Sequence, residues 1–179
     1  MKKIFILIVV LVSIVFISFK MKNTPIRKIE VGDKVPSFTL NDQNGNLFEV
    51  NSSIGKPMVI YFYPKDDTPG CIKEACKFRD DFEKFIDINA LVIGISGDSV
   101  ESHKNFEKKY NLPFILLADV NNEVRKLFGV PKSMFFLPGR VTYVIDKNGI
   151  VQYIFNSQFG AEKHIENSLK KLKELDISE

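Results

Sequence analysis

The feature that most restricts the fold is a continuous apolar run about a third of the way along the chain. Residues Pro57 to Tyr63 are apolar without an alternating polar residue, and Gly55 and Pro64 bound the run. A strand with one face in water alternates between apolar and polar residues, whereas a strand covered on both faces does not. The run therefore predicts a buried strand in a central parallel sheet that has helices on both faces.

A second apolar run, Ala90 to Ile95, also predicts a buried strand. Parallel neighbours in a sheet need a long crossover connection, which is usually a helix. The segment between the two runs is therefore predicted to be the helix of a βαβ unit. Its apolar residues recur at helical spacing: Ala75, Phe78, Phe82, Phe85 and Ile86.

The remaining elements complete a mixed α/β sandwich. Asn-Gly is a strong hairpin signal, and the pairs Asn44-Gly45 and Asn148-Gly149 each stand between β-like segments. The first pair predicts an N-terminal β-hairpin and the second a ββα half that joins the βαβ half. The predicted strands are Phe38 to Leu40, Leu47 to Val50, Phe114 to Ala118, Val141 to Ile145 and Ile150 to Phe155, and the predicted helices are Ser99 to Tyr110, Asn121 to Phe128 and a last one with the apolar stripe Ile165, Leu169, Leu172 and Leu175.

An apolar segment precedes the domain. Residues Ile4 to Phe19 are interrupted only by two serines and have lysines at both ends, a pattern typical of a hydrophobic leader helix. We interpret residues 1–22 as a signal anchor or signal peptide, 23–34 as a polar linker and 35–179 as the folded domain. An A-x-A-like cleavage pattern is missing, which favours an uncleaved anchor over a cleaved signal peptide or a buried core helix. The protein is therefore expected to be membrane-anchored or exported, on a side that the flanking charges do not decide.

Composition excludes several functions. The chain of 179 residues has 25 Lys+Arg and 22 Asp+Glu, but six of the basic residues precede the first acidic one, Glu30. The body therefore carries no excess of positive charge, and nucleic-acid binding, which needs a basic face, is excluded. Two cysteines and two distant histidines make neither a disulfide scaffold nor a typical zinc site, so no metal or cofactor is expected.

Cys71 follows a buried strand at the start of a helix, the region where open α/β sheets place their sites. Thr68 followed by Pro69 predicts a helix N-cap with proline in the first helical position. Cys71 then lies in the first turn, where the positive end of the helix dipole stabilises an anion. This position favours a reactive thiolate over the alternative, an inert packing residue.

Cys76 follows five residues later. On an intact helix this spacing gives a rotation of about 140° and a rise of about 7.5 Å, so the two Cα atoms would be roughly 9 Å apart. A disulfide tolerates at most about 7 Å, so the pair can bond only after the first helical turns unwind. A transient bond is favoured over a permanent one, and the spacing differs from the C-x-x-C of dithiol reductases.

The motif Pro64-x-x-x-Thr68-x-x-Cys71 matches the active-site signature of peroxiredoxins. With Cys76 at this spacing, the chain resembles the bacterioferritin comigratory protein or peroxiredoxin Q branch of that family. Ile72, where the family commonly has threonine, is a departure at a position without a catalytic role. The resemblance covers roughly Val31 to Leu175 and includes the segments Asp66–Cys71, Phe78–Asp80, Phe128–Val130, Leu137–Arg140 and Tyr143–Asp146.

This resemblance implies a thioredoxin-like fold and a peroxidase that reduces hydrogen peroxide and organic hydroperoxides. It also implies an intramolecular disulfide, reduction by a thioredoxin-like donor, a monomer and no cofactor. A protein disulfide oxidoreductase and a non-catalytic redox sensor are the alternatives that the sequence leaves open. The implied site residues are Cys71 as the peroxidatic cysteine, Cys76 as the resolving cysteine, Thr68 as a hydrogen-bond partner of the thiolate and peroxide, Pro64 as a shield against water and Arg140 as the cation that holds the thiolate.

Other polar and aromatic residues have simpler interpretations. Without the resemblance, Arg140 would be read as a solvated turn residue. Each of the others is expected to have a structural role: Arg79 as a surface ion-pair partner, His103 and His164 as solvent-facing residues, Asp66 and Asp67 as loop residues that complement the helix dipole, and Phe135 and Phe136 as packing residues.

Overall fold

The computed structural model describes residues 27–133 and 136–177, and all structural statements here concern that part of the chain. A short 3₁₀ helix, Val50–Ser53, follows the second strand. The strands are β1 Thr39–Asp42, β2 Leu47–Glu49, β3 Met58–Phe62, β4 Leu91–Ser96, β5 Ile115–Ala118, β6 Lys132–Ser133, β7 Leu137–Pro138, β8 Val141–Ile145 and β9 Val151–Asn156, and the helices are α1 Pro69–Asp80, α2 Phe82–Asp87, α3 Val100–Tyr110, α4 Glu123–Leu127 and α5 Ala161–Ile177.

One mixed sheet organises the fold. Its seven strands lie in the order β2-β1-β5-β4-β3-β8-β9, while β6 and β7 pair separately. Strand β3 runs parallel to β4 and antiparallel to β8, and β4 runs parallel to β5. The predicted mixed α/β fold with a central sheet flanked by helices is therefore confirmed. The N-terminal hairpin is formed by β1 and β2.

Strand β3 is buried along its whole length and separates two layers of the core. Because side chains alternate across a strand, Tyr61 faces one layer and Ile60 the other. The Tyr61 layer includes side chains from α1, α2, α3 and α5. The Ile60 layer includes α4, β8 and the segment that leads into β1. This two-sided burial is the reason why the sequence of β3 shows no polar alternation.

The crossover between β3 and β4 contradicts the prediction of one helix. Two helices, α1 and α2, meet at Asp81, whose backbone angles of φ −99° and ψ 8° lie outside the helical region. The Asp81 carboxylate accepts from Lys77 at 2.8 Å and from Lys84 at 2.6 Å, which stabilises the break. Phe85 is buried as expected, but Ile86 is 59% exposed. The spacing of apolar residues does not indicate a helix break that charged side chains stabilise.

The segment before β1 is hydrogen-bonded to the sheet. The N–H of Gly32 donates to the Val151 carbonyl at 2.8 Å, and the N–H of Val35 donates to the Gly149 carbonyl at 2.8 Å. Residues 1–22, the predicted leader, and residues 23–26 of the predicted linker lie outside the described residues, so the domain boundaries stay a prediction. In the described ranges, no helix combines the length and apolar character that crossing a bilayer requires.

Gly94 gives a direct test of how tightly β3 and β4 pack. A Cβ atom at Gly94 would lie 2.7 Å from the Tyr61 ring and 2.9 Å from Leu116 Cδ2. The Tyr61 ring has little room to move away from Gly94, because it stacks on Phe78 with 4.5 Å between ring centroids. We expect Gly94→Ala to lower the free energy of unfolding by about 1–3 kcal/mol through overpacking, measured by urea denaturation.

The matched control is Gly97→Ala in the loop that follows β4. A Cβ atom there would meet only the amide end of the Asn122 side chain, at 3.3 Å. This substitution is expected to lower the free energy of unfolding less than Gly94→Ala does, because the end of the Asn122 side chain can move. Equal losses of unfolding free energy in the two variants would contradict the packing argument.

Candidate active site

The chain between β3 and α1 carries the candidate site. Helix α1 begins after Thr68, its N-cap, with Pro69 in the first helical position, as the sequence predicts. Cys71 therefore lies in the first turn of α1, and its side chain is only 2% exposed. Pro64 and Thr68 are half-buried in the loop just before the helix. The structure thus brings three of the predicted site residues to one end of β3.

Thr68 does not cap the helix with its side chain. Its hydroxyl donates to the Lys65 carbonyl at 3.0 Å, and no side-chain acceptor from the cap position bonds the N–H groups of the first turn. The positive end of the helix is therefore not neutralised by its own cap residue. An anion at Cys71 gains from this arrangement.

Arg140 reaches Cys71 from a distant part of the chain. Its Nη2 donates to Cys71 Sγ at 3.3 Å, and its side chain is buried. The sheet explains how this contact forms. Strand β8 pairs antiparallel with β3 so that Val141 lies opposite Phe62, which places the residue before Val141 at the end of β3 where Cys71 lies. Arg140 is therefore a buried site residue and not a solvated turn residue.

Glu74 is a site residue that the sequence analysis missed. It lies three residues after Cys71 on α1, is fully buried, and accepts a hydrogen bond from Nη1 of Arg140. Burial raises the pKa of Glu74 to about 8, although the charge of Arg140 opposes this shift. At neutral pH the carboxyl group therefore holds a proton, which leaves the charge of the Arg140 guanidinium uncompensated beside Cys71 Sγ. The helical spacing between Cys71 and Glu74 is the signal that indicates one shared face.

Arg125 is a second buried cation that the sequence did not reveal. It lies on α4, where its Nη2 donates to the Tyr63 carbonyl at 2.6 Å and its Nη1 to the Gly139 carbonyl at 2.8 Å. Burial lowers the pKa of Arg125. Because Tyr63 follows β3 and Gly139 precedes Arg140, this side chain joins the two segments that carry the site.

Cys76 lies on the same continuous helix as Cys71, and both cysteines are free thiols. Cys76 is half-buried and lies beyond the turn that carries Cys71. The neighbouring Arg79 bonds the Asp80 carboxylate at 2.8 Å and the Tyr110 carbonyl at 2.8 Å. The interpretation of Arg79 as an ion-pair partner at the helix surface is confirmed.

The interpretation of both histidines as solvent-facing is wrong. His103 and His164 are fully buried, and both nitrogens of each ring have hydrogen-bond partners. Asp66, expected to be a simple loop residue, is only 5% exposed. Helical periodicity predicts the two histidines as surface residues because it does not include polar partners from other elements.

Phe135 and Phe136, near the site loop, are both predicted to be packing residues. Phe135 lies outside the described residues, and Phe136 is 73% exposed. Packing is therefore not the role of Phe136.

Within the described ranges, no group of three or more His, Cys, Asp or Glu side chains is arranged to hold a metal ion.

Comparison with known proteins agrees with this geometry. Residues 31–154 match the model of the AhpC/TSA family. The chloroplastic peroxiredoxin Q of Sedum lineare is 55% identical over 165 residues, which cover 88% of this chain and 89% of that protein. The chain belongs to the AhpC/TSA family. It is a thiol-dependent peroxidase of the peroxiredoxin Q type, as the resemblance implied.

Solved structures of AhpC/TSA proteins share the fold. The peroxidoxin BcpB of Mycobacterium tuberculosis superposes with a TM-score of 0.76 at 34% identity, covering 82% of this chain and 98% of that chain. The bacterioferritin comigratory protein of Xanthomonas campestris, whose structure was studied for its alkyl peroxide reduction activity, gives a TM-score of 0.73 at 30% identity, covering 78% of this chain and 92% of that chain. The predicted thioredoxin-like fold of the family is thereby confirmed.

The prediction of a membrane-anchored or exported protein is wrong. The AhpC/TSA relative from Sedum lineare is named chloroplastic, which is neither of the predicted locations. The prediction depended only on the hydropathy of residues 1–22, which lie outside the described residues. Hydropathy measures how favourably a segment enters lipid, and it does not by itself identify a compartment.

Glu74 should give this AhpC/TSA protein a distinct pH dependence of stability. An unperturbed glutamate releases its proton near pH 4.5, whereas Glu74 in the folded state holds it to about pH 8. Its contribution to stability is therefore complete below pH 4.5 and is lost as pH rises towards 8. Between pH 5 and 8, wild type should lose at least about 1.4 kcal/mol of unfolding free energy relative to Glu74→Gln, the equivalent of one pKa unit.

Urea denaturation at pH 5 and pH 8 measures this difference, with Glu162→Gln as the control. Glu162 is a half-exposed carboxylate that pairs with Lys73 at 3.4 Å. Its substitution should leave the pH dependence of wild type unchanged. If Glu74→Gln and wild type have the same pH dependence, Glu74 does not hold a proton in the folded state.

Proposed function

We propose that Cys71 is the peroxidatic cysteine of this peroxidase and that Pro64, Thr68 and Arg140 form its pocket. The observation that carries the proposal is the contact between Arg140 Nη2 and Cys71 Sγ at 3.3 Å in a buried setting. A charge-assisted hydrogen bond from a guanidinium is stronger where water is excluded. The thiolate is thus stabilised by Arg140 and by the start of α1, while its burial limits access to small oxidants.

In the first step, the Cys71 thiolate attacks one oxygen of the peroxide. An S–O bond forms, the O–O bond breaks, and the released alkoxide or hydroxide takes up a proton. The products are a sulfenic acid at Cys71 and an alcohol or water. Arg140 stabilises the charge that develops on the leaving oxygen. The Thr68 hydroxyl, which donates to the Lys65 carbonyl at 3.0 Å, would have to leave that carbonyl to bond the peroxide.

In the second step, Cys76 resolves the sulfenic acid. The Cys76 thiol attacks Cys71 Sγ, a disulfide forms, and water leaves. The continuous α1 helix separates the two cysteines, so the segment between them must unwind. Glu74 lies in that segment, and unwinding breaks its hydrogen bond with Arg140. This hydrogen bond therefore opposes disulfide formation.

The cycle closes when a thioredoxin-like dithiol reduces the Cys71–Cys76 bond. Hydrogen peroxide and small organic hydroperoxides are the proposed substrates, in line with the alkyl peroxide reduction activity of the Xanthomonas campestris relative.

Serine variants of the two cysteines test these roles. One equivalent of hydrogen peroxide should lower the mass of wild type by two hydrogen atoms, because a disulfide forms. Cys71→Ser should consume no peroxide, since the nucleophile is missing. Cys76→Ser should react once and stop at the sulfenic acid, with a mass gain of one oxygen atom and labelling by dimedone. Intact-protein mass spectrometry measures all three states.

Two outcomes would contradict the assignments. Full multi-turnover activity of Cys76→Ser with thioredoxin as donor would remove the resolving role of Cys76. Faster reduction of insulin disulfides than of peroxide by wild type would instead support a protein disulfide oxidoreductase. Circular dichroism of each variant confirms that a lost activity does not reflect an unfolded chain.

A further inference from the structure

A buried polar cluster joins the site loop to α3. Asp66 lies between Pro64 and Thr68, and its side chain is turned into the protein. Its Oδ1 accepts from the Tyr63 hydroxyl at 2.7 Å. Its Oδ2 accepts from the Ser102 hydroxyl at 2.7 Å and lies 2.9 Å from Nδ1 of His103. Three side chains thus converge on one carboxyl group that the proposed chemistry does not use.

The Asp66 carboxyl group is ionised. Burial opposes ionisation, but the hydrogen bonds from His103, Ser102 and Tyr63 outweigh it and lower the pKa of Asp66. A carboxylate can only accept hydrogen bonds. Nδ1 of His103 must therefore carry a hydrogen.

The other nitrogen of the same ring also faces an acceptor. Nε2 of His103 lies 3.1 Å from the backbone carbonyl of Leu117 on β5. A carbonyl oxygen cannot donate, so Nε2 must also carry a hydrogen. A histidine with hydrogens on both nitrogens is a cation. The two acceptors that face the ring of fully buried His103 are therefore the contacts that an imidazolium paired with Asp66 would make.

The groups around this pair are compatible with its charges. The Tyr63 hydroxyl lies 3.3 Å from His103 Nδ1, with its hydrogen directed to Asp66. Asp98 accepts from the Asp66 backbone N–H at 3.0 Å and from the Ser96 hydroxyl at 2.6 Å. Both the side chain and the backbone of Asp66 are thus held by neighbouring elements.

We propose that the Asp66–His103 ion pair positions the Pro64–Thr68 loop, so that Thr68 and Cys71 keep their positions relative to Arg140. The inference rests on the proposed role of Cys71. His103 and Asp66 are positioning residues, since neither contacts the sulfur. Loss of either partner leaves a buried charge without its counter-ion, and the loop that precedes Cys71 must then rearrange.

The adjacent aspartate supplies a matched control. Asp67 pairs with Lys109 at 2.8 Å, so it also joins the same loop to α3. This second pair is about half exposed, with side-chain exposures of 49% for Asp67 and 57% for Lys109. Exposed pairs are screened by water and constrain a loop little. The two neighbouring pairs differ in burial, and Asp66 also accepts from Tyr63 and Ser102.

The first test measures the charge of His103 without any reaction. Nitrogen-15 NMR of the two imidazole rings of reduced wild type at neutral pH should show one ring with two N–H groups and one ring with one. His164 is the internal reference: its Nε2 faces the Ser157 carbonyl and the Thr142 hydroxyl faces its Nδ1, and burial lowers its pKa to about 4. Asp66→Asn should remove one ring proton from His103. A single ring proton on His103 in wild type would overturn the proposal.

The second test measures positioning as the rate constant of Cys71 oxidation in a single turnover with hydrogen peroxide. His103→Gln and Asp66→Asn should each react about 10-fold to 100-fold more slowly than wild type, as expected for a small misplacement of reacting groups. Asp67→Asn should stay within about twofold of wild type. Rates are measured well below each thermal midpoint, so a loss of stability alone would not change them.

Three results separate the possible failures. If wild type reacts and both buried-pair variants match its rate constant, the positioning role is wrong. If Asp67→Asn slows the reaction as much as Asp66→Asn, burial of the pair is not the cause, and the proposal also fails. If wild type does not react with peroxide at all, the function proposed for Cys71 fails, whereas the NMR experiment still decides the charge of His103.

Discussion

The site depends on the guanidinium of Arg140, which donates to Cys71 Sγ with one nitrogen and to Glu74 with another. The backbone around this contact leaves little room for change. A Cβ atom on Gly70 would lie 3.2 Å from Arg140 Nη2, and one on Gly139 would lie 2.1 Å from the Pro131 carbonyl oxygen. Arg140 can therefore reach the sulfur because glycine occupies the position before Cys71 and the position before Arg140 itself. A single cation thus contacts two buried groups, the Cys71 sulfur and the Glu74 carboxyl group.

Burying so many ionisable groups at one end of a sheet is unfavourable unless each has a partner. The protein provides those partners from all sides of the site. Arg125 bonds the carbonyls that follow β3 and precede Arg140, and the Asp66–His103 pair holds the loop before α1. These contacts fix the reduced, folded arrangement. The proposed resolving step must undo part of it, because Glu74 lies between the two cysteines on one continuous helix.

The elements that the sequence predicted well are those with purely local signals. Strand β3 and the two Asn-Gly hairpins lie where their patterns placed them, to within one or two residues. The errors at the helix break and at the buried histidine share one cause. The break at Asp81 depends on two lysines, and the burial of His103 depends on a carboxylate from another element. A periodicity argument takes a polar residue on a helix as solvent-facing, so it misses partners that arrive from elsewhere in the chain.

The sequence by itself determined that a buried strand ends just before Pro64, that α1 begins after Thr68, and that Cys71 lies in the first turn of that helix. All three follow from residues close together in the chain, because caps, turns and strand patterns are local. Only the tertiary structure decided which charges surround the sulfur, since Arg140 comes from 69 residues away and His103 meets Asp66 across 37 residues. The charge state of a buried group depends on the charges and hydrogen-bond partners around it and on how much water is excluded. Neither can be inferred from the residues next to it in the sequence.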